Sequence, residues 1–219
     1  MRLDPGWIVD NLDQIAGLTL EHVYLTLLAI GIGFFISFVL SLLIRARARL
    51  YQPILGITGT LYAIPSLALF ALLTPVTGVG TVVTAEIALV SYTLLILTRN
   101  IVEGLRGVPP DAIEAATGMG YTGRQRLLRI ELPLALPIII AGLRIATVTT
   151  VGLVTVTALT GLGGLGYLIV NLGTARGSFG MTAALTGMLL CVVLALLADG
   201  ALLSLQRVLT PWARRRATL

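Results

Sequence analysis

Long apolar stretches recur along this chain, and they constrain its fold more than any other feature. Five can be counted in the 219 residues, at about Val23 to Ile44, Pro53 to Leu73, Thr81 to Thr98, Leu134 to Ala158 and Met181 to Leu205. About 20 such residues in a helix cross a hydrocarbon core of ~30 Å and satisfy their own backbone polar groups. With a mean hydropathy of +0.98, the chain is predicted to be an all-α, polytopic membrane protein with five transmembrane helices.

The arginines predict the orientation of these helices. All fifteen basic residues are arginines; twelve follow the first, third or fifth span, Arg144 lies within a span, and only Arg2 and Arg176 fall on the other side. Because basic residues accumulate on the cytoplasmic side, the N-terminus is predicted outside and the C-terminus inside. The net charge of +5 then reflects topology and contact with membrane lipid, and no nucleic acid partner is expected.

Two extracytoplasmic segments are predicted from this topology. In residues 1–20, Ile8, Leu12 and Ile15 recur at helical spacing, which indicates a short helix on the membrane surface. Residues 159–180 form an outer loop rich in glycine. Both segments are expected to lie on the side opposite the arginine clusters.

The residues that most chemistry requires are scarce. His22 and Cys191 are the only histidine and cysteine, so no metal site or catalytic cluster is predicted, and His22 is expected at the outer membrane interface. Gly161, Gly163 and Gly166 match G-x-G-x-x-G, but a dinucleotide site needs a preceding strand and an acidic residue about 20 positions on. The glycines instead favour tight turns over the outer mouth.

Residues 99–133 form a long predicted cytoplasmic loop that holds nine of the 25 charged residues. Asp111 with Glu114 three positions later resembles a capping box and predicts a short helix from Ala112 to about Met119. Gly120 can end this helix in a left-handed conformation. Loops of this length tend to carry function.

A second helix is predicted in the same loop. Thr122 with Gln125 three positions later is another capping box, and the helix extends from about Gly123 to Glu131. Pro133 either closes this helix or begins the next span. From these features alone, the loop is either a solvated hairpin on the membrane surface or a docking site for a cytoplasmic partner.

The spacing of the loop matches a known pattern. It reads Glu-Ala-Ala, three residues, Gly, nine residues, Ile, one residue, Leu-Pro, and it resembles the EAA loop of ABC-importer permeases (EAA-x3-G-x9-I-x-LP). The resemblance implies a type I ABC-importer permease fold, with residues 1–219 as a single permease domain. It also implies that this loop, between helices 3 and 4, holds a coupling helix that seats in an ATPase. The implied ATPase-coupling residues are Glu114, Ala115, Ala116, Gly120, Ile130, Leu132 and Pro133.

The partners of the chain follow from the same resemblance. They are two cytoplasmic ABC ATPase subunits, a second permease that is identical or homologous, and an extracytoplasmic substrate-binding protein. ATP and Mg would bind to the ATPase, so this chain is expected to hold no cofactor and to catalyse no reaction. Its expected location is the bacterial cytoplasmic (inner) membrane.

Further stretches look like the permeases that import glycine betaine, choline, carnitine and related osmoprotectants. They are "YAIPSLALFALLTPVTGVGT", "RNIVEGLRGVPPDAIEAATGMG", "ELPLALPIIIAGLRIATV" and "ALTGLGGLGYLI". Methionine and other small-solute permeases share much of this pattern and remain the alternative. A secondary transporter or channel would need inverted repeats or a chain of ionisable groups, and an enzyme would need clustered catalytic residues.

Several polar or proline residues within the spans are candidates for function. Pro65 frees a backbone carbonyl and predicts a kink, either a gate hinge or a static bend. Threonines of the fourth span either line the path or pack between helices. The candidates for the translocation path or gate are Tyr62, Pro65, Ser66, Glu86, Thr150 and Thr157. Arg144 and Asp199 are predicted to form an intramembrane ion pair.

Overall fold

The structure, a computed structural model, describes residues 4–174 and 178–212, in which all regular secondary structure is helical. Arg2 and Arg176 lie outside the described residues. The α-helices are α1 (Pro5–Asp10), α2 (Leu12–Ala46), α3 (Tyr51–Ala63), α4 (Ser66–Thr77), α5 (Val82–Arg106), α6 (Pro110–Gly118), α7 (Gly123–Arg126), α8 (Leu132–Val154) and α9 (Ser178–Leu209). Short 3-10 helices cover Ala48–Leu50 and Thr155–Thr160, and π-helices cover Leu127–Glu131 and Leu168–Leu172.

The predicted helical membrane fold is confirmed, with one span broken. Four helical stretches of the described chain are long and apolar enough to cross a membrane: Leu12–Ala46, Val82–Arg106, Gly123–Thr160 and Phe179–Leu209. Ala48–Ala63 and Ser66–Thr77 meet at 93°, and they make a fifth crossing if this bent pair is counted as one span.

The single second span predicted at Pro53 to Leu73 is therefore two helices, because Pro65 lacks an N–H and disfavours helical backbone at Ile64. The break is much sharper than a kink.

The N-terminal prediction was wrong in one respect. Leu12 and Ile15 belong to α2, the same helix that forms the first span, and only the six residues of α1 precede it. Since no proline or long polar run separates Ile15 from the first span, the helix continues. Ile15 is buried against Leu165 and Leu168 of the outer loop.

Helix α5 lies at the centre of the molecule, between α2 and α8. Small residues bring these helices together: Gly33 of α2 contacts the Thr93 side chain, and Gly142 of α8 faces the Asn100 side chain. The hydroxyl of Ser41 donates to the Thr98 carbonyl at 3.4 Å. Close packing and interhelical hydrogen bonds are what drive helix association in lipid, where burial of apolar surface gives little.

Adjacent side chains of α2, Glu21 and His22, hold the outer glycine-rich loop. The Glu21 carboxylate accepts the N–H groups of Gly163 at 3.3 Å and Gly164 at 3.0 Å. His22 is fully buried within the protein: its Nδ1 accepts from Leu165 N–H at 3.2 Å and its Nε2 donates to the Val151 carbonyl at 3.0 Å. Glu21 lies 142 positions before Gly163, so sequence spacing alone could not show that this carboxylate binds the glycine-rich loop.

We expect Gly142→Ala to destabilise the protein, because the added Cβ would overlap the Asn100 side chain at the crossing of α5 and α8. Overpacking of this kind costs about 1–3 kcal/mol. Gly152→Ala is the matched control, since Gly152 is exposed on the same helix and a Cβ there meets nothing within 4 Å. The measurement is the apparent melting temperature in detergent; equal values for the two variants would contradict the packing argument.

Candidate functional site

Helix α6 begins earlier than the capping-box prediction placed it. Its N-cap is Pro109 and its first residue is Pro110, and no side chain caps it. The Asp111 cap is therefore wrong: the two prolines supply helix-compatible φ values and move the start of the helix upstream, so that Asp111 lies inside the first turn. Its charge still favours the positive N-terminal end of the helix dipole.

The turn after α6 has the predicted left-handed glycine. Gly120 has φ +81°, and its N–H donates to the Thr117 carbonyl while the Tyr121 N–H donates to the Ala116 carbonyl, at 2.9 and 3.1 Å. These two bonds form a Schellman motif, which satisfies the last carbonyls of the helix. The predicted capping box of Thr122 and Gln125 is also confirmed and begins α7.

The second helix of the loop does not end at Pro133. Helix α7 continues through the π-helix Leu127–Glu131 into α8, and Pro133 occupies the first turn of α8. Of the two roles left open for Pro133, the beginning of the span is the one observed. A proline lacks the N–H for an α-helical bond to the carbonyl four residues earlier, and a widened turn accommodates this loss.

The residues of the EAA pattern differ in exposure. Glu114, Ala115 and Gly120 are exposed on the turn, whereas Ala116 is 1% exposed and packs inward. The last three members, Ile130, Leu132 and Pro133, are half-buried where the loop joins α8. The front of the pattern thus presents exposed residues on α6 and its turn, and the end of the pattern lies at the start of α8.

Glu131, the unnamed position between Ile130 and Leu132, lies at the centre of an ion-pair network. The Glu131 residue is 4% exposed. Arg45 approaches it as a fork, with Nε to Oε2 at 2.7 Å and Nη2 to Oε1 at 2.8 Å. Arg126 donates from Nε to Oε1 at 2.8 Å and from Nη1 to the Thr117 hydroxyl at 3.3 Å. Sequence reasoning missed this network, although a lone acid beside three loop arginines was a signal.

The break between α3 and α4 exposes two of the candidate path residues. Tyr62 is 41% exposed and Pro65 is also exposed, while Ser66 begins α4. The carbonyl of Ile64, freed by the break, accepts the Tyr92 hydroxyl at 2.6 Å, and the rings of Tyr62 and Tyr92 lie edge to face at 6.0 Å. Tyr92 is a functional candidate that the sequence did not reveal.

The remaining path candidates are buried in the single chain. Thr150 and Thr157 each donate a hydroxyl hydrogen bond to their own helical backbone, to Ala146 and Val154. Glu86 is 7% exposed, and neither of its carboxylate oxygens has a hydrogen-bond partner among the described residues. The single chain therefore does not bring these three residues onto one open surface with Tyr62 and Pro65.

Arg144 of α8 and Asp199 of α9, the two residues predicted to pair, lie together. Arg144 Nε is 2.7 Å from Asp199 Oδ1, and Nη2 is 2.8 Å from Oδ2. About a third or less of each side chain is exposed. Two parallel hydrogen bonds of this kind fix orientation as well as charge, and they join the fifth span to the fourth.

A helical membrane protein with an exposed, glycine-bent loop before its penultimate span has the architecture of an ABC-importer permease subunit. The family model described as "Binding-protein-dependent transport system inner membrane component" matches residues 18–215. The chain therefore belongs to this family, whose members are multi-pass components of the bacterial inner membrane that transport rather than catalyse. Membership implies an ATPase, a substrate-binding protein and a second permease as partners.

Similar sequences cover almost the whole chain. The "Osmoprotectant import permease protein OsmW" of Salmonella typhimurium is 39% identical over 210 residues, which are 94% of this chain and 96% of that protein. The "Choline transport system permease protein OpuBB" of Bacillus subtilis is 33% identical and covers 90% and 89%.

Solved structures confirm the type I importer fold. A chain of the MetNI methionine ABC transporter in an inward-facing conformation has a TM-score of 0.77 at 26% identity, covering 90% of this chain and 96% of that one. A chain of an amino acid ABC transporter crystallised with histidines has a TM-score of 0.78 at 16% identity, covering 94% and 99%, and shows likeness of fold alone.

We expect Arg144→Glu or Asp199→Arg alone to lower the yield of folded protein severely, because each leaves two like charges facing one another at membrane depth. The double reversal should recover most of the yield. The matched control is Arg99→Glu with Glu103→Arg, an exposed i,i+4 pair at 2.9 Å whose single reversals should change little. Monodisperse protein recovered in detergent is the readout, and no recovery in the double reversal would argue against the pairing.

Proposed function

We propose that the chain forms half of the translocation path of an ATP-driven importer for a small osmoprotectant such as glycine betaine, choline or carnitine. Its partners would be two cytoplasmic ATPase subunits that carry ATP and Mg, a second permease, identical or homologous, and an extracytoplasmic binding protein. The observation that carries this proposal is the exposed EAA turn on α6, in a chain whose relatives over nearly their whole length are named as osmoprotectant permeases.

The shape of the turn supports docking to an ATPase. Glu114 and Ala115 are exposed on α6, the left-handed Gly120 ends that helix, and α7 begins three residues later at Gly123. Small side chains at the tip allow another backbone to approach closely. Glu114 supplies a negative charge in a loop where the arginines are otherwise in excess, so it is suited to a basic group in the cleft of the ATPase.

The broken helix supports a path at Tyr62, Pro65 and Ser66. Irregular backbone at membrane depth is tolerated where it is buried in protein or lines a water-filled cavity, and it is excluded from lipid. Since Tyr62 and Pro65 are exposed in the single chain, this surface is suited to a path shared with a second permease. Glu86, which is buried and has no hydrogen-bond partner among the described residues, would provide negative charge near the outer end of that path.

The proposed cycle is alternating access. Binding of ATP would draw the two ATPase subunits together, and the α6 turns seated in them would follow. The permease helices would then open toward the binding protein, which delivers the solute, and hydrolysis of ATP would return the path to the inward-facing state. The likeness to an inward-facing methionine transporter at a TM-score of 0.77 is consistent with the latter state, and it also makes methionine the second candidate substrate.

We expect Gly120→Ala to weaken ATPase binding and coupled transport, because a Cβ at φ +81° costs roughly 1–2 kcal/mol and distorts the turn. Gly118→Ala is the matched control, since Gly118 has an ordinary φ and open space around it. Glu114→Arg should weaken binding without changing the fold. Retention of the ATPase on the affinity-purified permease is the measurement, and full retention in both Gly120→Ala and Glu114→Arg would contradict the docking assignment.

Uptake by proteoliposomes that hold the permease, its ATPase and its binding protein should identify the substrate. We expect ATP-dependent uptake of at least one of glycine betaine, choline and carnitine, and none of methionine. A binding protein that recognises a quaternary ammonium by cation–π contacts should bind the same solute in calorimetry. Uptake of methionine alone would replace the osmoprotectant assignment with the second candidate.

A further inference from the structure

We propose that Glu131 is a positioning residue that transmits the movement of the α6 turn to α2, the first membrane helix. This inference rests on the proposed docking of α6 to an ATPase. The loop continues directly into α8, so movement of α6 has an obvious route to the fourth span. A route to α2 is needed as well, because α2 packs along α5 and its outer part holds the glycine-rich loop.

The network around Glu131 joins three separate elements. Thr117, in the last turn of α6, accepts from Arg126; Arg126 donates to Glu131; and Glu131 accepts the fork of Arg45 at the end of α2. All three bonds to the carboxylate are 2.7–2.8 Å, and the Glu131 side chain is 6% exposed. A buried carboxylate held by two guanidinium groups has little freedom to move on its own. Displacement of one arginine therefore displaces the carboxylate and, through it, the other arginine.

The π-helix makes this arrangement possible. In an α-helix, residues five apart point about 140° away from each other, since each residue turns by 100°. Arg126 and Glu131 are five apart, and the π-helix Leu127–Glu131 closes i→i+5 bonds, which bring such residues onto one face. A return to regular α-helix would rotate Arg126 away from Glu131, so the π turn gives the contact two distinct states.

The loop pattern leaves the position of Glu131 unspecified, and its surroundings explain why an acid belongs here. Pairing neutralises a carboxylate that would otherwise be buried without a partner at the membrane surface. Arg45 follows the first span, where the positive-inside rule alone accounts for a basic residue. Its bidentate geometry toward Glu131 is a feature that topology does not require.

The test measures whether α2 follows α6 when ATP binds. In the permease–ATPase complex, with Cys191→Ala, spin labels are placed at the exposed positions Arg49, just after α2, and Asp111, in the first turn of α6 and away from Gly120. We expect the distance within one chain to stay unchanged on addition of ATP in the parent protein. In Glu131→Gln it should shift and broaden on addition of ATP, because the α6 turn moves without α2.

Transport gives a second readout that a purely structural role would not change. In assembled complexes, Glu131→Gln should retain the ATPase and hydrolyse ATP, but import about tenfold less glycine betaine per ATP, a coupling loss of the usual allosteric size. Arg126→Lys, which keeps the charge and loses the fork, should import an amount per ATP between those of the parent protein and Glu131→Gln. It replaces Glu131→Gln where that variant yields no folded permease. Arg99→Gln, which breaks the exposed Arg99–Glu103 pair, is the control and should match the parent protein.

Each outcome decides the proposal. An unchanged distance on addition of ATP in Glu131→Gln would overturn it, and so would loss of the ATPase in that variant, because Glu131 would then shape the docking surface rather than transmit its movement. Failure of the proposed docking would give a different result. In that case the Glu114→Arg and Gly120→Ala variants would both retain the ATPase. The distance measurement does not depend on which solute is imported.

Discussion

The close approach of α5 to α2 and α8 is the interaction on which the rest of the structure depends. Lipid is as apolar as the helix surfaces, so these helices associate through close van der Waals packing and hydrogen bonds rather than through the hydrophobic effect. Gly33 and Gly142 remove side chains where Thr93 and Asn100 must fit. With α5 packed on both sides, α2 contacts the outer glycine-rich loop through Glu21 and the cytoplasmic loop through Arg45.

Polar groups at membrane depth then determine where the backbone of these packed helices can be irregular. The break at Ile64 persists because Tyr92, on α5, donates to the freed carbonyl. The outer loop folds against α2 because the Glu21 carboxylate accepts two of its N–H groups. Glu86 is an exception, since neither of its carboxylate oxygens has a hydrogen-bond partner among the described residues. A group of this kind is costly within a membrane unless another subunit, water or a solute completes it.

Local sequence rules predicted what local interactions decide. The capping box of Thr122 and the left-handed Gly120 follow from the preferences of a few neighbouring residues. The same rules failed at Asp111, where two prolines upstream set the start of the helix, and at Pro65, where a kink was expected and a 93° break is observed.

Contacts between residues distant in sequence had no local signal. Glu131 and Arg45 are 86 positions apart, and Gly163 lies 142 positions from Glu21. Only a known fold could have placed these residues together, and the motif that identified the family leaves position 131 unspecified. The contacts of Glu131 are instead with two arginines of this chain, Arg45 and Arg126. If Glu131 transmits movement, a π-helical turn is expected at its position, because an α-helical turn would place Arg126 and Glu131 on different faces of the helix.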